Sequence, residues 1–202
     1  MERIFNYGRL PYYWWMVQNS NWYWTNSITT RREDAFEVAN FARIIDRPRW
    51  LPIALYVCCL GDPSHLRDGI TRDDGMVERL SDDNFARCVR ALPLLGALCC
   101  ETEIRTLDPE RPHTFRDCGA KDGRCKKWVE DTLATLVKGP MRPNLGKLSA
   151  SDFINPSVCD CEMCSSCWGW LLEHAHETRS RSINERLPGC FGLDKEGKSL
   201  QS

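Results

Sequence analysis

Apolar residues in this chain recur mainly at helical intervals. Val38, Phe41, Ala42 and Ile45 keep the i, i+3, i+4, i+7 spacing of one helix face, with Phe36 beside them. They predict a helix from Arg31 that ends at Asp46-Arg47-Pro48, because a residue before proline is pushed out of helical geometry. Pro52 suits the first turn of a second, apolar helix through Ala54, Leu55, Val57 and Cys58, which Gly61-Asp62-Pro63 stops. Residues 62–80 are polar and glycine-bearing, with Asp73-Asp74 read as part of a loop beside Gly75. Ser81-Asp82-Asp83 then offers a hydroxyl cap and carboxylates at the positive end of a third helix. Its buried stripe is predicted as Phe85, Cys88, Val89 and Leu92, with Pro93 kinking or dividing the segment before residues 94–100. Pro109 and Pro112 mark residues 101–117 as a loop.

The clearest amphipathic helix follows. Cys125, Trp128, Val129, Thr132, Leu133, Leu136 and Val137 repeat at intervals of 3, 1, 3, 1, 3 and 1, and Gly139-Pro140 terminates the run. After a linker over 141–149, a last helix places Trp168, Leu171, Leu172, Ala175, Ile183 and Leu187 on one broad side, with Glu173, Glu177, Arg179, Arg181 and Glu185 facing water. Leu187-Pro188 closes it, Phe191-Gly192-Leu193 is expected to pack back on the body, and residues from Asp194 are expected to fray. Residues 1–30 differ in kind. Tyr12, Tyr13, Trp14, Trp15, Trp22, Tyr23 and Trp24 lie among Asn, Ser and Thr, and read as an extended aromatic arm packed on the helical body or offered to a protein partner. The predicted architecture is mostly α. It is an irregular bundle of about five to seven helices over 31–193, with an aromatic arm over 1–30, a cysteine-clasped C-terminal helix pair and a disordered tail over 194–202.

Charge narrows the function classes. Lys+Arg 27 against Asp+Glu 28 leaves a net charge of −1, so the chain lacks the basic field expected of a nucleic-acid binder. The N-terminal stretch has charges at Glu2 and Arg3 and polar residues among its aromatics, unlike a signal peptide. The most apolar window, residues 50–60, contains Pro52 and is too short to span a bilayer. These features lead us to expect an intracellular protein, cytoplasmic or nuclear, without membrane attachment.

In such a compartment thiols stay reduced, which changes the reading of the 12 cysteines. Cys58-Cys59 and Cys99-Cys100 lie in apolar runs and read as small buried hydrophobes. Six others fall in two groups: Cys118 and Cys125, then Cys159, Cys161, Cys164 and Cys167. A structural zinc site takes four sulfur or imidazole ligands as two short-spaced pairs. Cys164-x2-Cys167 has the standard spacing, and the turn through Lys121, Asp122 and Gly123 can aim Cys118 and Cys125 at one point. The most economical set is therefore Cys118, Cys125, Cys164 and Cys167 around one zinc ion, with Cys161 and His174 as alternates and His176 a poorer one. A metal-free, thiol-rich helix end stands as the competing reading, with disulfide or redox chemistry behind both. Four protein thiolates leave no open coordination position, so such an ion has a structural role.

No spaced-glycine phosphate loop or nucleophile elbow occurs, and Asp73-Asp74 and Asp82-Asp83 suit a loop and a helix start. A thiol activated by His65, His113, His174 or His176 is arithmetically possible, but unactivated cysteine among helices is the simpler expectation. The chain is not expected to be an enzyme.

The run FARIIDRPRWLPIALYVCC at 41–59 resembles the "aRe.d.p.lLPaAlY.cc" stretch behind the BTB/POZ domain in a large group of mushroom-type fungal proteins. Three further segments fit in order: LSDDNFARC at 80–88, the pair Cys118 and Cys125 followed by an amphipathic helix, and RLPGCFGL at 186–193, similar to that family's "RLP..FGL". The resemblance covers about residues 31–193. It implies a helical region C-terminal to a BTB/POZ module, protein association and no catalysis. Only 30 residues precede Arg31, so we expect the association module itself to be missing and self-association not to be inherited. The alternative is a zinc-dependent nucleic-acid or chromatin module, with a finger over residues 159–167 and Arg179, Arg181 and Arg186 on phosphate. Glu173, Glu177 and Glu185 interleave with those arginines and weaken the field.

Overall fold

The structure is a computed structural model that describes residues 32–42, 44, 48–108, 115, 118–120, 122–138 and 163–200. The chain is mostly helical, as the periodicity predicts. Its elements are α1 (Arg32–Phe41), a 3-10 turn (Pro48–Trp50), α2 (Leu51–Cys59), α3 (Pro63–Asp68), β1 (Ile70–Thr71), β2 (Val77–Glu78), α4 (Asp82–Thr106), α5 (Arg124–Lys138), α6 (Ser165–Arg181), a π-helical turn (Ser182–Arg186) and α7 (Leu187–Cys190). The described residues fall into two compact units. One comprises the described residues between 32 and 95 together with 183–200, and the other the described residues between 96 and 182. The aromatic arm, including Tyr12, Tyr13, Trp14, Trp15, Trp22 and Trp24, lies outside the described residues. No helix among the described residues is long and apolar enough to cross a membrane.

The first unit is organised by α2. Leu51, Pro52, Ile53, Ala54, Leu55, Tyr56, Cys58 and Cys59 are all buried, and Pro52 sits in the first turn, where its missing N–H costs no helical bond. A helix apolar on every side belongs at the centre of a core. Helix α1 packs against it and buries Ala35, Phe36 and Ala39, with Ala42 just beyond the helix end. This face is rotated from the predicted one. Val38 and Phe41 are only half-buried, because small alanines allow the closer approach of two helices.

Residues 62–80 hold a short helix and a hairpin. Asp62 caps α3, its Oδ1 accepting from the Ser64 amide at 2.8 Å, and Gly69 (φ 89°) turns the chain into an antiparallel hairpin pairing Ile70 with Glu78 and Thr71 with Val77. The strands are two residues each, too short for an alternating pattern to be read from the sequence. A polar junction joins the hairpin's exit to both neighbouring helices. The Asn40 amide donates to Glu78 Oε1 (2.9 Å) and the Arg79 carbonyl (2.7 Å), its Oδ1 accepts from the Ser81 amide (2.9 Å), and buried Asn84 donates to the Ala39 carbonyl (2.9 Å).

Helix α4 begins at Asp82 as expected but runs unbroken for 25 residues through Pro93 and on to Thr106, into the stretch predicted as a loop. Pro93 is exposed, as is Val89, whose carbonyl loses its helical donor, so water can take up that carbonyl. Val89 was expected in the stripe and is 47% exposed; the buried side of this helix within the first unit is Asn84, Arg87, Cys88, Ala91 and Leu95.

The tail is a second departure. Residues 194–200, expected to fray, form a hydrogen-bonded turn. Asp194 Oδ1 accepts from the amides of Glu196 (2.9 Å) and Lys198 (2.8 Å), Asp194 N–H reaches the Lys198 carbonyl (2.8 Å), and Leu200 N–H reaches that of Gly192 (3.0 Å). Arg49 pairs with Glu196. Arg87 holds the same segment from beneath: Nη1 donates to the Phe191 carbonyl (2.9 Å), Nη2 to Ser199 Oγ (3.0 Å) and Nε to Asp83 (2.9 Å). Gly197 (φ 75°) is pressed so closely on the 3-10 turn that a Cβ there would lie 1.9 Å from the Pro48 carbonyl oxygen. Gly197→Ala is therefore expected to expel this turn at a cost of roughly 1–2 kcal/mol, visible as proteolytic cleavage near residue 195 that the native chain resists.

Candidate metal centre

In the second unit, α5 and α6 share a small apolar core. Leu107, Val129, Leu171 and Ala175 are buried, and Trp128, Leu133, Leu136, Trp168 and Trp170 pack around them together with Phe115 and Met163. Most of the predicted stripe on α5 faces inward, while Val137, at its end, is 57% exposed. Leu172 of α6 is likewise exposed. Phe115 and Met163 have a particular role, since each lies just before a cysteine of interest. Their burial ties the entry segments of Cys118 and Cys164 to the core.

Each helix start carries a cysteine pair. Cys118 precedes α5 and Cys125 is in its first turn, whereas Cys164 is the N-cap of α6 and Cys167 is in its first turn. Between Cys118 and Cys125, Gly123 adopts φ 74°, Asp122 Oδ1 accepts from the Arg124 amide at 3.2 Å, and the Gly123 carbonyl starts the helix by accepting from Lys127 at 3.1 Å. The looser six-residue interval is therefore a turn that feeds directly into a helix.

The four sulfurs of Cys118, Cys125, Cys164 and Cys167 all lie within 4.8 Å of one another, with Cys118 Sγ and Cys164 Sγ 4.0 Å apart. A regular tetrahedron built on zinc–sulfur bonds of about 2.3 Å has sulfur–sulfur edges of about 3.8 Å, so only a slight contraction closes the set on one ion. Cys125 and Cys167 are buried, and Cys118 and Cys164 half-buried. The Cys164 amide donates to Cys125 Sγ at 3.3 Å, the kind of N–H···S contact that orients a thiolate ligand. Both helices point their positive N-terminal ends at the cluster, which favours anionic sulfur.

The thiols divide accordingly. Backbone amides of Cys167 and Gly119 draw the Cys164 thiol down to about 6, although no side-chain cap bond of regular geometry forms there. Burial pushes the thiols of Cys125 and Cys167 up. Without an ion, the contribution of Cys164 to stability is complete above the ordinary thiol range and fades as pH falls through about 6. Those of Cys125 and Cys167 run oppositely, present at neutral pH and lost as pH rises through their elevated values. A bound cation reverses the latter two, because it stabilises all four thiolates at once.

No family model matches the chain, and no curated protein or solved structure matches it.

Of the two alternates, Cys161 lies outside the described residues, as does Cys159. His174 is not part of the cluster. It is buried, stacked on Trp170 with ring centroids 5.1 Å apart, and its Nε2 lies 3.2 Å from the Arg105 carbonyl, a partner that can only accept and so requires Nε2–H. The other cysteines behave as their apolar runs predict: Cys58, Cys59 and Cys99 are buried and Cys100 half-buried. Burial raises the Cys58 thiol, and a hydrogen bond with Cys88 together with burial raises that of Cys59, so both stay protonated and inert.

Proposed function

We propose that this chain is a non-enzymatic protein-interaction scaffold of the kind found C-terminal to BTB/POZ domains, its α5–α6 pair clasped by one structural zinc ion. The observation that carries the zinc half is the four-sulfur cluster at two converging helix starts. Its donors are soft, its span fits a single tetrahedral ion, and iron–sulfur clusters, which spread their thiolates over several irons, need wider spacing. With four protein ligands the ion has no open position for water or substrate, so its role is to hold the helices rather than to turn over a reactant.

The scaffold half is supported by where the resembling segments lie. Cys88 of the segment 80–88 contacts the Leu55 carbonyl in the segment 41–59 (3.8 Å), and Arg87 contacts Phe191 in the segment 186–193. Helices α2 and α7 also touch. Three of the four resembling segments, 41–59, 80–88 and 186–193, thus share the core of the first unit, while the Cys118–Cys125 segment belongs to the second. Partners are proteins, with the aromatic residues Tyr12, Tyr13, Trp14, Trp15, Trp22 and Trp24 as the contact segment, because such rings yield binding energy when a partner completes their burial. The compartment is reducing, cytoplasmic or nuclear.

Elemental analysis of the purified full chain tests the reading. About one zinc per chain is the expected result, and a zinc-free protein that folds normally in zinc-supplemented medium would remove the clasp. Flow-through on DNA cellulose at low salt is the companion expectation; salt-dependent retention would favour the nucleic-acid alternative.

A further inference from the structure

The four sulfurs are not equivalent in access, and this has a chemical consequence. Cys125 and Cys167 are buried, whereas Cys118 and Cys164 are half-exposed and are 4.0 Å apart. Their backbones are also close: a Cβ placed on Gly119, the neighbour of Cys118, would lie 3.9 Å from Cys164 Cβ in ordinary contact. A disulfide needs an S–S distance of about 2.05 Å with Cβ atoms about 3.8 Å apart, so the two sulfurs have to approach by about 2 Å through side-chain rotation.

We infer that the cluster is a redox-gated metal site, in which a peroxide oxidises Cys118 and Cys164 to a disulfide and the ion is thereby released. The inference rests on the zinc reading above and adds its regulation. The oxidant is hydrogen peroxide. One of the two outer thiolates attacks a peroxide oxygen, the O–O bond breaks, and with proton uptake a sulfenic acid and water result. The second outer sulfur attacks the sulfenic sulfur, the S–S bond forms and a second water leaves. In sum, the two sulfurs give two electrons to one peroxide, two protons are consumed and two waters form. Zinc then has only Cys125 and Cys167 as ligands. Two protein ligands do not make a closed site, and a tightly held ion becomes an exchangeable one. Because the outer pair bridges the segments entering α5 and α6, the disulfide keeps the two helix starts together after the metal has gone. A thiol reductant and zinc restore the first state.

The experiment has two arms on the full-length chain. In the first, zinc-loaded protein receives one equivalent of hydrogen peroxide in the presence of a chromogenic chelator; the expected release is about one zinc per chain, reversed by dithiothreitol and added zinc. Retention of zinc while peroxide is consumed would overturn the inference. In the second, reduced metal-free protein is treated with peroxide, remaining thiols are alkylated, and linked peptides are identified by mass spectrometry. A Cys118–Cys164 link is expected. A Cys164–Cys167 link, a Cys125–Cys167 link or a mixture would overturn the pairing. A chain that never binds zinc fails the reading in the previous subsection, and the second arm still decides which thiols pair.

Discussion

Replacing Cys125 by Ser is expected to destabilise the zinc-loaded protein by at least about 3 kcal/mol, a fraction of the apparent binding free energy of roughly 10–16 kcal/mol for a structural zinc. At about 2–4 °C per kcal/mol for a chain of this size, the thermal midpoint falls by roughly 6–12 °C. Cys125 is fully buried, and serine binds zinc weakly. A chelator separates metal loss from the cost of burying a hydroxyl. Added to the native chain it is expected to reproduce most of the loss, and added to Cys125→Ser it is expected to do nothing more. Cys100→Ser, at a half-buried thiol outside the cluster, provides the control and is expected to cost less than about 1 kcal/mol. Thermal unfolding followed by near-ultraviolet circular dichroism suits this test, since Trp128, Trp168 and Trp170 all pack on the core beside the cluster.

Arg87→Met is the second large effect, and it falls in the other unit. The side chain of Arg87 is only 10% exposed, and its guanidinium is shared among Asp83, the Phe191 carbonyl and Ser199. Hydrogen bonds from a charged donor contribute about 1.5–3 kcal/mol each, and a buried carbonyl left without its partner costs about 1–3 kcal/mol. With some relaxation, a net loss of roughly 3 kcal/mol is expected. The effect is local in character. The amides of Leu193 and Leu200, bonded to the carbonyls of Pro188 and Gly192, are expected to exchange with deuterium much faster, while those at the centre of α2 change less. Arg87→Lys keeps the charge without the fork and is expected to fall between the two. Unchanged exchange at Leu193 in Arg87→Met would mean that apolar packing alone holds the C-terminal segment.

These two sites differ in how far a sequence reading could see them. The cysteine quartet was legible because its signal is local: two short-spaced pairs, each followed at once by an amphipathic helix. A helix start is also a place where two sulfurs can point the same way. Of what the spacing leaves open, the geometry brings Cys164 and Cys167 to Cys118 and Cys125 and shows His174 engaged elsewhere, while Cys161 lies outside the described residues. Arg87 gave no such signal. An arginine four residues after an aspartate on a helix reads as a solvated ion pair, and only the return of residues 191–199 from 104–112 positions away makes it a buried hub.

The fold shows the same division between local and distant causes. Helix starts with a cap or a well-placed proline, at Asp82 and Leu51, were recoverable from a few adjacent residues. The length of α4 was not, because Pro93 predicts a break that holds only where the freed carbonyl lacks water. The inward face of α1 was misplaced for a related reason. Phe36 and Ala42 are buried as their spacing predicts, but where hydrophobic size marks Val38 and Phe41, close helix packing selects Ala35 and Ala39. The ordered tail combines both causes: Asp194 sets the turn locally, and the fit of Gly197 on Pro48 holds it from far along the chain.

The most direct measurement of the central claim is X-ray absorption at the zinc edge of the purified, full-length protein. A single ion held by Cys118, Cys125, Cys164 and Cys167 gives one shell of four sulfur scatterers at about 2.3 Å. A shell containing nitrogen or oxygen at about 2.0–2.1 Å, or no zinc to excite, would contradict the clasp.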